Sequence, residues 1–104
     1  MNTNIHEVTN NFFVLMKKYL LKQISANSFE DKYIDLWNVY VDSENQSEIA
    51  RNVSDSIGRV FTAIDVFNPD SKNRANYEID ENQLRKEVKM ELLKIKPELE
   101  KELL

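Results

Sequence analysis

Glycine and proline are scarce in this chain, which has one Gly and two Pro among 104 residues. An all-β protein of this length needs many tight turns, and glycine and proline supply much of the backbone geometry of such turns. Long helices joined by few connections are therefore favoured. A hydrophobic fraction of 41%, with one Trp, four Tyr and five Phe, supports a packed core. The length fits one domain, over residues 1–104, with a single core.

Apolar residues recur at steps of three and four along most of the chain, as in helices with one buried face. These repeats predict four helices, over about 4–23, 27–41, 48–67 and 81–95. Short connections between helices of similar length favour antiparallel neighbours. The predicted fold class is therefore all-α, an antiparallel four-helix bundle in a single domain.

Polar residues mark the predicted helix starts. Asn27 and Glu30 have the spacing of a capping box at the second helix, with Ser25 as a competing N-cap. Ser47 is the predicted cap of the third helix. Pro97 interrupts the fourth helix, and the tail beyond it either adds a helical turn or two or frays.

One face of each predicted helix is apolar, and these faces together predict the core. The predicted core residues are Phe12, Leu15, Tyr19, Tyr33, Leu36, Trp37, Val53, Ile57, Val60, Phe61, Ile64, Val88 and Leu92. Gly58 lies inside the third helix, where glycine costs roughly 1 kcal/mol relative to alanine. Close approach of a neighbouring helix would explain a glycine at this position.

The connection before the fourth helix is unusually long. Pro69 lacks an N–H and disfavours a helical residue before it, so the third helix should end near Asn68. Asp80 is the predicted N-cap of the fourth helix, and Gln83 completes a capping box. Loops of this length without secondary structure are often functional.

Apolar residues of the connection predict how it is held. Ile79 and Leu84 have the spacing of a hydrophobic staple. Tyr77 is the predicted apolar anchor that ties the connection to the core, with its hydroxyl near water or a polar partner. Capping, stapling and anchoring are sufficient to explain these positions without a binding role.

The residue types needed for common catalytic and metal sites are missing or isolated. The chain has no cysteine, which excludes disulfides and thiolate metal sites. Its one histidine, His6, has no neighbouring Asp or Cys with which to build a metal or nucleophilic site, and it is predicted to be a surface residue on the first turn of a helix. A chain with one glycine cannot form a glycine-rich phosphate loop. We therefore expect no enzymatic activity, no metal and no cofactor.

Membrane and export signals are also missing from the sequence. No apolar run approaches the roughly 20 residues of a membrane span. The first residues lack the basic and apolar pattern of a secretory signal. The lack of cysteine fits a reducing compartment. We expect a cytoplasmic protein that does not contact a membrane.

The net charge of −4 is unevenly distributed along the chain. Residues 29–70 carry nine acidic and three basic residues, a net charge of −6. The preceding segment, 1–28, has a net charge of +2, and the segment 71–104 is neutral. The acidic middle would attract a partner with a basic surface and repel nucleic acid.

Acidic residues of the middle segment fall on two surfaces. Asp31, Asp35 and Asp42 share one face of the second helix, opposite its apolar face. Such a stripe is usually a solvated helix surface. Asp65 and Asp70 lie near the end of the third helix, where the helix dipole disfavours an anion. A cost to stability without a structural return hints at a binding role for these two.

The segment from Phe67 to Asp80 resembles the immunity proteins of colicin D and of related bacterial tRNA-cleaving toxins. The resemblance is carried by FNPD at 67–70 and RANYEID at 74–80, and LRKEV at 84–88 is similar to the last helix of that family. Residues 24–37 agree more loosely, and the likeness covers most of the chain.

This resemblance implies a small helical bundle that binds the nuclease domain of a cognate toxin. Family members block the active site of that domain with acidic residues, which take the place of RNA phosphates. Relatives also accompany toxins of contact-dependent growth inhibition systems. Asp65 and Asp70 match acidic family positions, whereas Asn68 replaces an acid. That departure suggests a different cognate toxin, because immunity proteins discriminate sharply among toxins.

The resemblance and the charge pattern together predict a toxin-binding surface and a partner. The partner is a basic, RNA-cleaving nuclease domain, without direct contact to nucleic acid. The predicted toxin-binding residues are Asp65, Asn68, Asp70, Tyr77 and Glu78, and the predicted secondary steering surface is Asp31, Asp35 and Asp42. The alternative is a helical adaptor or anti-regulator that masks the basic nucleic-acid-binding face of another protein.

Overall fold

The computed structural model describes residues 4–103. Within that range the chain forms four α-helices: α1 (Ile5–Leu20), α2 (Ala26–Val41), α3 (Arg51–Asp65) and α4 (Glu81–Ile95). Short 3₁₀ turns follow at Gln46–Glu48, between α2 and α3, and at Pro97–Leu99, after α4. The all-α fold class is confirmed. Residues 1–3 and 104 of the predicted domain lie outside the described residues.

The fourth helix begins and ends where the sequence predicts. The carboxylate of Asp80 caps α4 by accepting a hydrogen bond from the backbone N–H of Gln83, at 2.8 Å. The side chain of Gln83 donates instead to Glu87, at 3.2 Å. Only half of the predicted capping box therefore forms. After Pro97 the tail makes one 3₁₀ turn, and Leu99 packs against the core.

The first helix ends at Leu20, before the predicted end near Gln23. Lys22 adopts a left-handed backbone conformation, with φ of 61°. The backbone N–H of Gln23 donates to the carbonyl of Lys18 at 2.9 Å, and that of Lys22 donates to Tyr19 at 3.0 Å. These two bonds form a Schellman motif, which satisfies the last carbonyls of α1 and reverses the chain.

The second helix begins at Ala26, one residue before the predicted cap Asn27. Ser25 is the N-cap, and its hydroxyl accepts a hydrogen bond from the backbone N–H of Ser28 at 3.1 Å. The capping box predicted from Asn27 and Glu30 is therefore wrong, and the competing cap is used. The earlier start includes Ala26 in the helix and places it in the core.

The third helix is shorter than predicted at both ends. Its N-cap is Ala50 without a side-chain hydrogen bond, so the cap predicted at Ser47 is wrong. The side-chain amide of Gln46 donates to the carbonyls of Tyr40 and Val41, at 2.8 and 3.1 Å. These bonds cap the end of α2 and hold the following residues in a 3₁₀ turn. At the other end α3 stops at Asp65, so Phe67, its predicted last residue, lies outside the helix.

Neighbouring helices are antiparallel, as predicted. Phe12 contacts Tyr33, with ring centroids 4.9 Å apart, and Tyr19 stacks on Phe29 at 4.4 Å, so later residues of α1 meet earlier residues of α2. The other three pairs show the same reversal. The contacts are Tyr33–Ile57 and Tyr40–Ser54 for α2 and α3, and Ser56–Glu91 for α3 and α4, with Phe67–Ile79 just beyond the facing ends of those two helices. For α4 and α1 they are Arg85–Tyr19 and, from the residue that follows α4, Lys96–Phe13.

Most of the predicted core is buried. The confirmed residues are Phe12, Leu15, Tyr19, Tyr33, Ile57, Val60, Ile64, Val88 and Leu92. Four others, Leu36, Trp37, Val53 and Phe61, are only partly buried and pack against the edge of the core. Trp37 lies flat on Phe61, with centroids 4.3 Å apart and planes 12° apart. Buried residues outside the predicted set include Ile5, Met16, Phe29, Tyr40 and Leu84.

Candidate functional site

The connection between α3 and α4 is closed at its base by backbone hydrogen bonds. Phe67 and Ile79 form an isolated parallel bridge. The N–H of Asn68 donates to the carbonyl of Ile79 at 3.0 Å, and the N–H of Ile79 donates to Val66 at 2.8 Å. Ile79 also packs against the core. The residues between the two ends therefore form an ordered loop held at a fixed place on the bundle.

Asn68 is the centre of the hydrogen bonds inside this loop. Its side-chain oxygen accepts from the backbone N–H of Asp70 at 3.0 Å. Its side-chain amide donates to the Glu78 carboxylate at 3.2 Å and to the carbonyl of Asn73 at 3.4 Å. The carbonyl of Asn68 accepts from Nε of Arg74 at 2.9 Å. An amide suits this position because it donates and accepts at once.

Asp70 is exposed, and both of its carboxylate oxygens accept hydrogen bonds from the loop. Oδ1 accepts from the backbone N–H of Lys72 at 2.9 Å, and Oδ2 accepts from the side-chain amide of Asn73 at 2.7 Å. These two bonds lower the pKa of Asp70. The carboxylate is therefore ionised at neutral pH and held in one orientation.

Glu78 is held in the same way from the other side of the loop. Its Oε1 accepts from the backbone N–H of Ala75 at 2.8 Å and from the side chain of Asn68. These bonds lower the pKa of Glu78. The loop thus brings Asn68, Asp70 and Glu78 together and presents two fixed anions.

Tyr77 does not anchor the connection to the core. Its exposed fraction is 74%, the largest among the exposed large hydrophobic residues of the described chain. Ile79 provides the anchor instead, so the prediction for Tyr77 is wrong. Tyr77 borders an open groove between α3 and α4, together with Val66 and Met90. An exposed Tyr of this kind is typical of protein interfaces.

The same groove contains Gly58. A Cβ added at Gly58 would meet no atom within 4 Å. The explanation by close approach of a neighbouring helix is therefore wrong. Gly58 simply faces the open groove, with Trp37 and Phe61 on one side and Met90 on the other.

Asp65 is the last residue of α3 and is exposed. No described residue forms an ion pair with it. It borders a depression between α2 and α3, beside Glu30 and Asn38, and not the groove that Tyr77 lines. The predicted site residues therefore lie in three places. Asn68, Asp70 and Glu78 form a loop cluster, Tyr77 borders the groove between α3 and α4, and Asp65 borders the depression between α2 and α3.

The acidic stripe on α2 is exposed, as predicted. Asp31, Asp35 and Asp42 all face solvent, and none forms an ion pair within residues 4–103. Asp31 and Asp35 are four residues apart, a spacing at which like charges repel on a helix. Asp42 is the C-cap of α2, where the dipole disfavours an anion. The stripe thus opposes helix stability slightly and leaves its charges available.

Glu91 is a buried acid that the sequence analysis did not identify. Its Oε1 accepts from Ser56 at 3.1 Å and from Arg59 at 3.3 Å, and its Oε2 accepts from Lys94 at 2.9 Å. The signal was available, because residue 91 follows Val88 by three and therefore lies on the apolar face of α4.

The described residues offer no evident metal site or membrane span. Residues 4–103 contain no group of three or more His, Cys, Asp or Glu side chains that could hold a metal ion. His6 is exposed on the first turn of α1, with Nε2 3.7 Å from the Glu48 carboxylate. None of the helices in this range is both long enough and apolar enough to cross a bilayer.

Comparison with known proteins places this bundle in a family. No curated protein matches the chain in sequence. A family model, described as bacterial self-protective colicin-like immunity, matches residues 8–95. The match runs from the first turns of α1 to the last residue of α4 and includes the loop cluster, the exposed Tyr77 and the acidic stripe of α2. The chain therefore belongs to the bacterial self-protective colicin-like immunity family.

Proposed function

We propose that this protein neutralises a tRNA-cleaving nuclease toxin by inserting the acidic surface at the α3–α4 connection into the basic active-site cleft of that toxin. Membership of the family supports a role in protecting the cell from a colicin-like toxin. The nuclease activity of the toxin and the plugging of its cleft are our proposal. The observation that carries it is the ordered loop with Asp70 and Glu78 as fixed anions.

A nuclease needs a basic cleft to hold RNA phosphates. Carboxylates can occupy such a cleft in place of phosphates when their positions are fixed before binding, because little ordering entropy is then lost. Hydrogen bonds from the loop hold Asp70 and Glu78 in this way and lower the pKa of both. Their charge therefore persists at neutral pH and well below it.

Tyr77 supplies the apolar part of the proposed contact. Its ring is exposed and adjoins Glu78 in sequence, so it can be buried together with the charged cluster. Interfaces gain much of their affinity from a few buried aromatic anchors surrounded by polar contacts. We assign Asp65, Asn68, Asp70, Tyr77 and Glu78 to this binding surface.

The α2 stripe is proposed to act at longer range. Asp31, Asp35 and Asp42 are exposed, and exposed charges mainly raise the rate of association with an oppositely charged partner. The effect of this stripe should weaken as salt increases, since solvent ions screen exposed charges.

The test begins with the genes that neighbour the gene of this chain, where the proposal predicts a toxin that carries a basic nuclease domain. Co-expression with the wild-type chain should restore growth of cells that make that domain. Asp65→Lys combined with Asp70→Asn should abolish protection, because a lysine faces the basic cleft and a fixed charge is lost. Asparagine is chosen at 70 because its side-chain oxygen can still accept from Lys72, which keeps one of the two hydrogen bonds that hold residue 70.

Asp31→Lys combined with Asp35→Lys is the comparison variant. It should slow association, measured by stopped flow, and reduce the salt dependence of the association rate. Both variants should keep the helical circular dichroism and melting temperature of the wild type. Full protection by the Asp65/Asp70 variant, with protection lost in the Asp31/Asp35 variant, would move the site to α2.

A further inference from the structure

A small depression lies between α2 and α3, beside the proposed toxin-binding surface. Its volume is about 200 Å³, below the roughly 300–1,000 Å³ of small-molecule sites. The floor is apolar, formed by Ile34, Phe61, Ile64 and Phe67. This shape suits one long side chain better than a ligand or a peptide segment.

The rim of the depression is acidic. Glu30 projects from α2, Asp65 ends α3, and the exposed amide of Asn38 lies about two turns beyond Glu30 along α2. No basic residue lines the depression, and neither carboxylate forms an ion pair within the described part of the chain. The site thus combines an apolar floor with two negative charges at its mouth.

Glu30 is partly withdrawn from water without a compensating cation. Burial raises the pKa of Glu30, and the neighbouring Asp31 raises it further. Its ionised form is therefore destabilised in the free protein, and an incoming cation would relieve that cost. Asp65 is the last residue of α3, an end of the helix at which the dipole is unfavourable to an anion.

We infer that this depression receives an arginine side chain of the toxin, with its aliphatic stem on the apolar floor and its guanidinium between Glu30 and Asp65. The inference rests on the proposed function and adds to it a specific contact for the partner. Arginine suits the site because its planar group donates five hydrogen bonds in a fixed fork and can join two acceptors. Its stem can cover apolar surface while the charge stays at the rim.

The depression is continuous with the proposed binding surface. Phe67 forms part of its floor and is paired through the backbone with Ile79, at the base of the acidic loop. Asp31 and Asp35 lie next to Glu30 and Ile34 on α2. An arginine bound here would therefore lie between the loop cluster and the α2 stripe.

Three variants with the same change in net charge test the inference. Glu30→Gln removes one carboxylate of the rim. Asn38→Lys leaves both carboxylates and adds a tethered ammonium that competes for them. The matched control is Glu44→Gln at an exposed position beyond the end of α2. The rise of α2 from Glu30 to its last residue, Val41, is about 17 Å, and Glu44 follows that end of the helix.

The measurement is the affinity of each purified variant for the nuclease domain of that candidate toxin, with dissociation rates recorded at two salt concentrations. We expect Glu30→Gln and Asn38→Lys each to weaken binding about tenfold or more, mainly through faster dissociation. Glu44→Gln should change affinity less than about twofold, because an exposed charge outside the depression acts mainly on the association rate. Melting temperatures check that all three variants fold.

Alanine replacements of surface arginines in the nuclease domain identify the bound side chain. Replacing the correct arginine should make the Glu30→Gln change nearly without effect, which is strong coupling in a double-mutant cycle. If the wild type binds and both rim variants bind within twofold of it, the arginine inference is wrong and the proposed function stands. If the wild-type chain does not bind the domain at all, the proposed function is wrong and the inference falls with it.

Discussion

The carboxylate of Glu91 lies between α3 and α4 with 6% of the residue exposed. Burial acts to raise the pKa of Glu91, but hydrogen bonds from Lys94, Ser56 and Arg59 outweigh burial, so the net pKa is lowered. A buried carboxylate is tolerated only when such partners satisfy it. This residue therefore links the two helices that carry the open groove.

Glu91→Gln tests this link. At neutral pH we expect a loss of roughly 1–3 kcal/mol in the free energy of unfolding, because the charged hydrogen bonds are removed in a buried place. A lowered pKa means that the stabilisation is present above the usual value of 4.5 and disappears as pH falls through the folded-state pKa. Urea unfolding measured from pH 7 to pH 2 should show that the free energy of unfolding falls less at low pH in the variant than in the wild type.

The control for that experiment is Glu98→Gln, which removes an exposed carboxylate of the C-terminal tail. Its free energy of unfolding should fall at low pH as much as that of the wild type. An equal fall for the wild type and Glu91→Gln would show that Glu91 does not contribute to acid sensitivity. In that case the fixed anions of the loop, Asp70 and Glu78, would be the next groups to test.

Gly58 offers a second prediction about a single side chain. It lies inside α3 with a negative φ, and an added methyl group would meet no atom within 4 Å. Gly58→Ala should therefore stabilise the protein by roughly 0.5–1 kcal/mol, since alanine has less backbone entropy to lose in a helix. Denaturant unfolding gives the change. A lower stability would mean that the open groove closes on α3 in solution.

Among the helices and their connections, the loop before α4 is organised most strongly by side chains. Asn68 bridges the loop by donating to Glu78 and accepting from Asp70. An acid at this position, as the resemblance to other immunity proteins suggested, would place two carboxylates about 3 Å apart in this loop. The asparagine therefore allows Glu78 to remain anionic, which changes the charge pattern that a toxin meets.

Asn68→Asp tests that account. The carboxylates at 68 and 78 would repel, so the pKa of Glu78, measured by carboxyl NMR, should rise and the loop amides should exchange faster with solvent. Asn76→Asp is the matched control, because Asn76 is exposed in the same loop. An unchanged Glu78 pKa in Asn68→Asp would show that the bridge between residues 68 and 78 does not form in solution.

In the whole molecule, the aromatic core and the acidic surface lie at different helix pairs. Aromatic rings of α1 and α2 pack together in the core, where Phe12 contacts both Tyr33 and Tyr40. Packing of α2 on α3 is less extensive than packing of α2 on α1. That looser contact leaves the depression bordered by Glu30 and Asp65, on the side of the molecule where the chain is most acidic.

Two truncations should separate the dense core from its edge. Phe12→Ala should cost roughly 3–5 kcal/mol, because a fully buried ring leaves a cavity. Trp37→Ala should cost less, roughly 1–3 kcal/mol, since Trp37 is partly exposed and covers Phe61 at the groove. Thermal and urea unfolding give both values. A larger loss for Trp37→Ala would place the main core between α2 and α3.

Local chemistry made much of the fold predictable. The bounds of α4 and the cap at Asp80 follow from hydrogen bonds between residues three and four apart and from the proline that interrupts the helix, and the structure agrees with both. Competing local signals were harder to rank. Ser25 and Asn27 were both suitable caps, and the choice depended on whether Ala26 could be buried against another helix.

The four helices, their antiparallel order and the acidic middle of the chain follow from periodicity, chain connections and composition, because these are properties of residues close in sequence. Tertiary packing alone decided that Tyr77 points into solvent while Ile79 reaches the core. It also decided that Glu91 is satisfied by groups from α3 and that Glu30 and Asp65 share a depression. Each of these depends on which residue of a neighbouring helix lies opposite, and a helix pattern defines an apolar face without specifying what covers it.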